Sequence, residues 1–130
     1  MRRRSNVTDT ELAILKVLWE RGPATIRRLT DELYPGGATA HYATVQKLLE
    51  RLRAKSFVTR RQEGRVHVYE AAVDRPELIA TRLQETADKL CDGSLTPLLT
   101  QLVSTRELSE EDRVALRELI ERFEREPRDR

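Results

Sequence analysis

Cysteine is nearly absent from these 130 residues, and the single one, Cys91, rules out an intramolecular disulfide and is too little for a cysteine-based metal site. Lying at the apolar end of a helical stretch, it reads as a buried structural residue. Histidine is equally scarce: there are two, His41 and His67, and the chain has no phosphate-binding loop, no zinc-binding helix motif and no serine nucleophile elbow. Neither catalysis nor a cofactor or metal is therefore expected. No apolar run approaches the roughly 20 residues needed to span a bilayer. Arg2, Arg3 and Arg4 are followed by polar residues rather than by a signal-peptide apolar stretch, so a cytoplasmic protein without a membrane partner is expected. Repeats and low-complexity segments are missing as well.

What is present is 38% hydrophobic and 35% charged residues with 5% aromatics, the composition of a helix-rich protein whose helices carry charged outer faces. The length suits one small domain plus an appendage. A net charge of +2 conceals a split: residues 1–73 hold 14 Lys/Arg against 8 Asp/Glu, or +6, and residues 74–130 hold 10 against 14, or −4. The basic half is the candidate polyanion binder.

Local signals divide the chain into six helices and a hairpin. Thr8-Asp9-Thr10-Glu11 is a capping box opening helix one, which runs to about Arg21 before Gly22-Pro23. Thr25 caps a short helix two, ending ahead of Pro35-Gly36-Gly37. Val45, Leu48, Leu49 and Leu52 give helix three, from about Ala40 to Lys55, one apolar stripe. Phe57–Gln62 and Arg65–Ala71 are strand-like runs flanking Glu63-Gly64, a hairpin. Asp74-Arg75-Pro76-Glu77 opens helix four, which places the domain boundary at about residue 73. Helix five starts at Ser94, and helix six starts at Ser109 and ends before the Pro127 tail.

Helix, helix, helix, hairpin is the order of a winged helix-turn-helix, in which the third helix enters the major groove. The fold class expected is mainly α with a small β-hairpin wing, the N-terminal winged helix at 1–73 and a C-terminal helical dimerisation segment at 74–130. The base-reading candidates are Ala43, Thr44, Gln46 and Lys47, with Gln46 and Lys47 foremost. Thr25, Tyr42, Arg51, the wing arginines Arg60, Arg61 and Arg65, and the arm Arg2, Arg3 and Arg4 are candidates for the phosphate backbone; His41 joins Tyr42 as a phosphate candidate, with packing on helix two the alternative for Tyr42. For dimerisation the apolar stripes supply Ile79, Leu83 and Leu90 in helix four, Leu95, Leu98, Leu99 and Leu102 in helix five, and Leu116, Leu119, Ile120 and Phe123 in helix six. Those stripes exceed what three short helices can bury on each other, so burial across a homodimer is expected.

Taken together, Thr8-Asp9-Thr10-Glu11-Leu12 with Leu18-Trp19, Ala43-Thr44-Val45-Gln46-Lys47-Leu48-Leu49-Glu50-Arg51-Leu52, Glu63-Gly64-Arg65-Val66-His67-Val68-Tyr69, Gly93-Ser94-Leu95 and Leu108-Ser109 resemble the penicillinase-repressor (BlaI/MecI) family over nearly the whole chain. The resemblance implies a transcriptional repressor and a homodimer on a palindromic double-stranded DNA operator with interlocked C-terminal helices; the signal that lifts repression, whether an upstream sensor or protease, a ligand or a partner protein, stays open. In antibiotic-sensing members an Asn-Phe bond is cut; Gln101-Leu102 stands at the matching place, which argues against that cleavage and leaves Leu102 as a core residue of helix five. Related copper-responsive repressors carry paired cysteines, so Cys91 alone implies no copper switch. The alternative is a winged helix serving as a protein-interaction module without DNA readout. That use calls for apolar or acidic faces, whereas these carry Lys47, Arg51, Arg60, Arg61 and Arg65.

Overall fold

The computed structural model describes residues 6–37, 39–105 and 108–125, and its helices begin where a side chain can take up free backbone N–H groups. At α1 (Asp9–Arg21) Thr8 Oγ1 accepts from Glu11 N while Glu11 Oε1 accepts from Thr8 N, a complete capping box. Gly22, at φ 86°, ends that helix and donates its N–H to the Leu18 carbonyl at 2.9 Å. Thr25 caps α2 (Ile26–Leu33) by accepting from Arg28 N. The exit from α3 (Thr39–Ala54) is a Schellman arrangement: Phe57 N donates to the Leu52 carbonyl, Ser56 N donates to the Arg53 carbonyl, and Ser56 takes the left-handed position at φ 70°.

Two short strands lead onward to the C-terminal helices. Strands β2 (Val58–Glu63) and β3 (Val66–Ala71) pair antiparallel with Glu63 opposite Val66. The two-residue turn is therefore Gly64-Arg65 rather than Glu63-Gly64. Glycine suits the position that this register gives it: a type II′ turn wants positive φ at its first central residue, Gly64 has φ 63°, and among the described residues Arg65 is not one with positive φ. The other departure from the sequence expectation is β1, residues Ala24–Thr25, which pairs antiparallel with β3 and makes a three-stranded sheet in the order β1-β3-β2. Two residues carry no readable strand signal, and Tyr69 opposite Ala24 creates this one.

The chain divides into two compact units, one reaching to Glu85 and one starting at Thr86. In the first, Ile14, Leu15, Leu18, Leu29, Val45, Leu49, Leu52, Phe57, Val58 and Tyr69 form one core between α1, α2, α3 and the sheet. The division falls inside α4 (Arg75–Leu90), whose beginning docks on the core of the first unit. Leu78 is buried there, and Trp19 Nε1 donates to the Val73 carbonyl at 2.8 Å. Asp74 and Glu77 cap α4 reciprocally.

The second unit holds the end of α4, then α5 (Thr96–Thr105) and α6 (Glu110–Arg125). Helix α5 starts two residues after the expected Ser94, whose Oγ accepts from Thr96 N. No residue of α6 is buried. No described helix is long and apolar enough to cross a membrane.

Candidate nucleic-acid interface

Helix α3 buries Val45, Leu48, Leu49 and Leu52 against the core. At about 100° per residue, the positions farthest from that stripe are Ala43, Lys47 and Glu50, with Gln46 on one flank and Thr44 and Arg51 on the other; all six are exposed. The four residues expected to read bases thus share one outward surface, small at its N-terminal end and basic further on. Lys47 and Arg51 stand four apart, a like-charge pair that costs a few tenths of a kcal/mol until an anion lies against it. Thr44 Oγ1 donates to the Ala40 carbonyl at 3.0 Å. Glu50, which the sequence reading did not single out, adds a carboxylate to the same surface. Its outward position follows from the same apolar stripe that the sequence shows.

The start of α2 lies beside the start of α3. Arg27 places its guanidinium 5.9 Å from the Tyr42 ring centroid. Arg28 follows, and the first turn of α2 holds no acidic residue. Two cations at the positive end of a helix dipole are unfavourable by themselves and are relieved by a bound anion. Sequence reasoning missed both, although two arginines in the first turn after a Thr cap, where acidic residues are preferred, were the available signal. Thr25 sits at that cap with its hydroxyl occupied by Arg28 N. Tyr42 is 37% exposed, and His41 stacks on Tyr34 at the end of α2, ring centroids 4.4 Å apart.

That stack depends on Gly37. A Cβ there would lie 2.5 Å from His41 Nδ1 and 2.8 Å from the Tyr34 carbonyl oxygen. Gly37→Ala is therefore expected to push the first turn of α3 away from α2, destabilising the protein by about 1 to 2 kcal/mol. Thermal denaturation checks this; an unchanged midpoint overturns it.

On the wing the three expected arginines separate. Directly opposed residues of an antiparallel pair share a face, so Arg60, opposite Tyr69, lies on the face that carries Val58 and Gln62, and Arg61, opposite Val68, lies on the other. Arg61 Nε donates to Glu63 Oε2 at 2.7 Å and Nη1 donates to Glu70 Oε1 at 3.2 Å. Those carboxylates push the Arg61 guanidinium pKa above its ordinary value. Among the described residues no carboxylate pairs with Lys47, Arg51, Arg60 or Arg65. Arg2, Arg3 and Arg4 lie outside the described residues. His67 is half-buried, and its Nδ1 has no hydrogen-bond partner among them.

Of the residues expected to dimerise, Ile79, Leu83, Leu90, Leu95, Leu99, Leu102, Leu119, Ile120 and Phe123 are exposed in the single chain, joined by Val103 and Val114. Leu98 and Leu116 are half-buried. Leu102, read from sequence as a core residue, is 53% exposed: α5 turns that side of its stripe outward. Cys91 is half-buried rather than buried, because it follows the last residue of α4.

The penicillinase repressor family model matches residues 7–122. The penicillinase repressor of Bacillus licheniformis is 26% identical over 121 residues, covering 93% of this chain and 94% of the relative. The transcriptional regulator BlaI of Mycobacterium tuberculosis is 32% identical over 123 residues, covering 92% and 88%. A solution structure of the DNA-binding domain of the repressor BlaI superposes with a TM-score of 0.50 at 28% identity, covering 59% of this chain and 93% of that one. With a family match spanning both the winged helix and the three helices after it, this chain belongs to the penicillinase repressor family.

Proposed function

We propose that this protein is a sequence-specific DNA-binding transcriptional repressor that acts as a homodimer on a palindromic operator. The observation that carries the proposal is the outward face of α3, where Ala43, Thr44, Gln46, Lys47 and Arg51 are exposed together on a fold that superposes on the DNA-binding domain of BlaI. Small residues admit the helix to the groove, Gln46 and Lys47 reach base edges, and Arg51 meets phosphate. Arg60 and Arg65 on the wing, with Arg27 and Arg28 at the start of α2, neutralise the backbone and release counterions. Arg61 contributes less, because Glu63 and Glu70 already hold it. Residues 1–73 carry the DNA function and 74–130 the pairing of two copies, in which the exposed leucines of α4, α5 and α6 are removed from water. Two-fold protein symmetry then matches two-fold operator symmetry.

Gel-shift binding to DNA from upstream of the protein's own gene, across a salt series with nonspecific duplex as competitor, tests this. A discrete, competitor-resistant, salt-sensitive complex of two protomers per site is expected. Binding that competitor abolishes at every salt concentration overturns the proposal.

Two substitutions separate reading from holding. Lys47→Ala is expected to cost about 1 to 3 kcal/mol and to alter base preference, whereas Arg65→Ala weakens binding to all sequences and lowers the salt slope by about one unit. Equal losses for both variants on operator and random DNA would remove Lys47 from the reading surface.

A further inference from the structure

The three residues ahead of α1 are gripped by side chains from three helices or their ends. Lys55, the residue following α3, donates from Nζ to the Asn6 carbonyl at 2.8 Å and to Glu11 Oε1 at 2.8 Å. Arg82, in α4, donates from Nη2 to the Val7 carbonyl at 2.6 Å. Glu11, in α1, accepts from Thr8 N at 3.0 Å, and the Val7 side chain is buried. Neighbouring carbonyls of one short strap therefore carry the end of the candidate reading helix and the flank of α4.

Helix α4 presents two faces here. Leu78, buried, and Arg82, exposed, stand one turn apart on the first; Ile79 and Leu83, 52% and 48% exposed, stand on a second, about 100° around the helix. Where the first face docks determines where the second points. Leu78 is an apolar contact without direction, and the Trp19–Val73 hydrogen bond holds the chain just ahead of the helix rather than the helix itself. The Arg82 hydrogen bond, one turn further on, has direction, and it ties the roll angle to the strap that Lys55 holds.

We propose that Arg82 is a positioning residue: through the strap Asn6-Val7-Thr8 it sets the angle between α3 and the Ile79–Leu83 face, and thereby the half-site spacing that a dimer accepts. The proposal rests on the homodimeric DNA-binding function above. Each base pair added between half-sites turns the second by about 34° and moves it about 3.4 Å, so spacing preference reports this angle directly.

The test uses the full chain and palindromic duplexes selected from a random pool by the wild-type protein, with one or two base pairs inserted or deleted at the centre of symmetry. Arg82→Met keeps the length of the side chain and removes the donors. It is expected to reduce the discrimination between spacings at least about fivefold, with unchanged dimer mass in light scattering and unchanged affinity for a single half-site. Arg82→Lys, which retains a donor, is expected to recover part of the discrimination. A role in stability alone lowers all affinities together and leaves the ratio intact, which overturns the proposal. Sharp spacing preference retained by Arg82→Met overturns it too, while leaving the dimeric repressor standing. A wild type with no spacing preference overturns both.

Discussion

A Leu102→Asp protein is expected to run as a monomer in light scattering and to lose at least about a hundredfold in affinity for a two-half-site operator. Leu102 is 53% exposed in the single chain and continues the outward stripe of Leu95 and Leu99 on and just ahead of α5. Because the side chain has little to lose within its own chain, the substitution leaves the winged helix folded and acts on pairing. A carboxylate placed in an apolar contact between two copies must shed its water without a partner to replace it. The hundredfold loss follows because two linked half-site contacts become independent ones. A variant that remains dimeric takes Leu102 out of the interface; one that is monomeric yet binds the full operator as tightly as the wild type removes the dimer from DNA recognition.

Glu11→Ala is expected to destabilise the first unit by about 3 kcal/mol, a large share of the roughly 5 to 15 kcal/mol available to a typical domain. Glu11 is fully buried, and its Oε1 accepts from both Lys55 Nζ and Thr8 N. Lys55 is 17% exposed at its side chain. Removing the carboxylate strands a shielded ammonium, undoes the capping box of α1 and frees the strap ahead of it. A chemical denaturation midpoint that moves by less than about 1 kcal/mol would show the pair to be dispensable.

The same carboxyl gives a pH signature. Burial pushes its pKa up; the hydrogen bond from Lys55, those from Thr8 and the nearby ammonium charge bring it below the ordinary 4.5. A carboxyl depressed in the folded state stabilises fully above its unfolded value and loses that contribution as pH falls through its folded one. The stability difference between wild type and Glu11→Ala is therefore expected to be constant from neutrality down to about pH 4.5 and to shrink below it. Denaturation of both proteins at pH 7 and pH 3 measures this, and an equal difference at the two pH values contradicts it.

Most elements of this fold are legible in the sequence because their causes are local. Thr8 with Glu11, Thr25, Asp74 with Glu77, and Ser109 cap helices with partners three residues away, and the Val45-Leu48-Leu49-Leu52 stripe declares α3 by its period alone. The candidate reading face was legible for the same reason, being whatever that stripe leaves outside. The turn Gly64-Arg65 was misplaced by one residue, since a Gly fits either central position until strand register is known.

Contacts between distant residues had no such signal. Strand β1 exists because Tyr69 and Val68 present a free edge to Ala24 and Thr25. Arg61 is held by Glu70 across the sheet while Arg60 and Arg65 are not, a distinction three nearly adjacent arginines cannot show in one dimension. Lys55 finds Glu11 from 44 residues away and Arg82 finds Val7 from 75. Local hydrogen bonding and helical periodicity were enough to specify the helices and the outward face of α3; only folding, by bringing chain-distant groups to within hydrogen-bond distance, made β1 and selected which charges are paired within the protein.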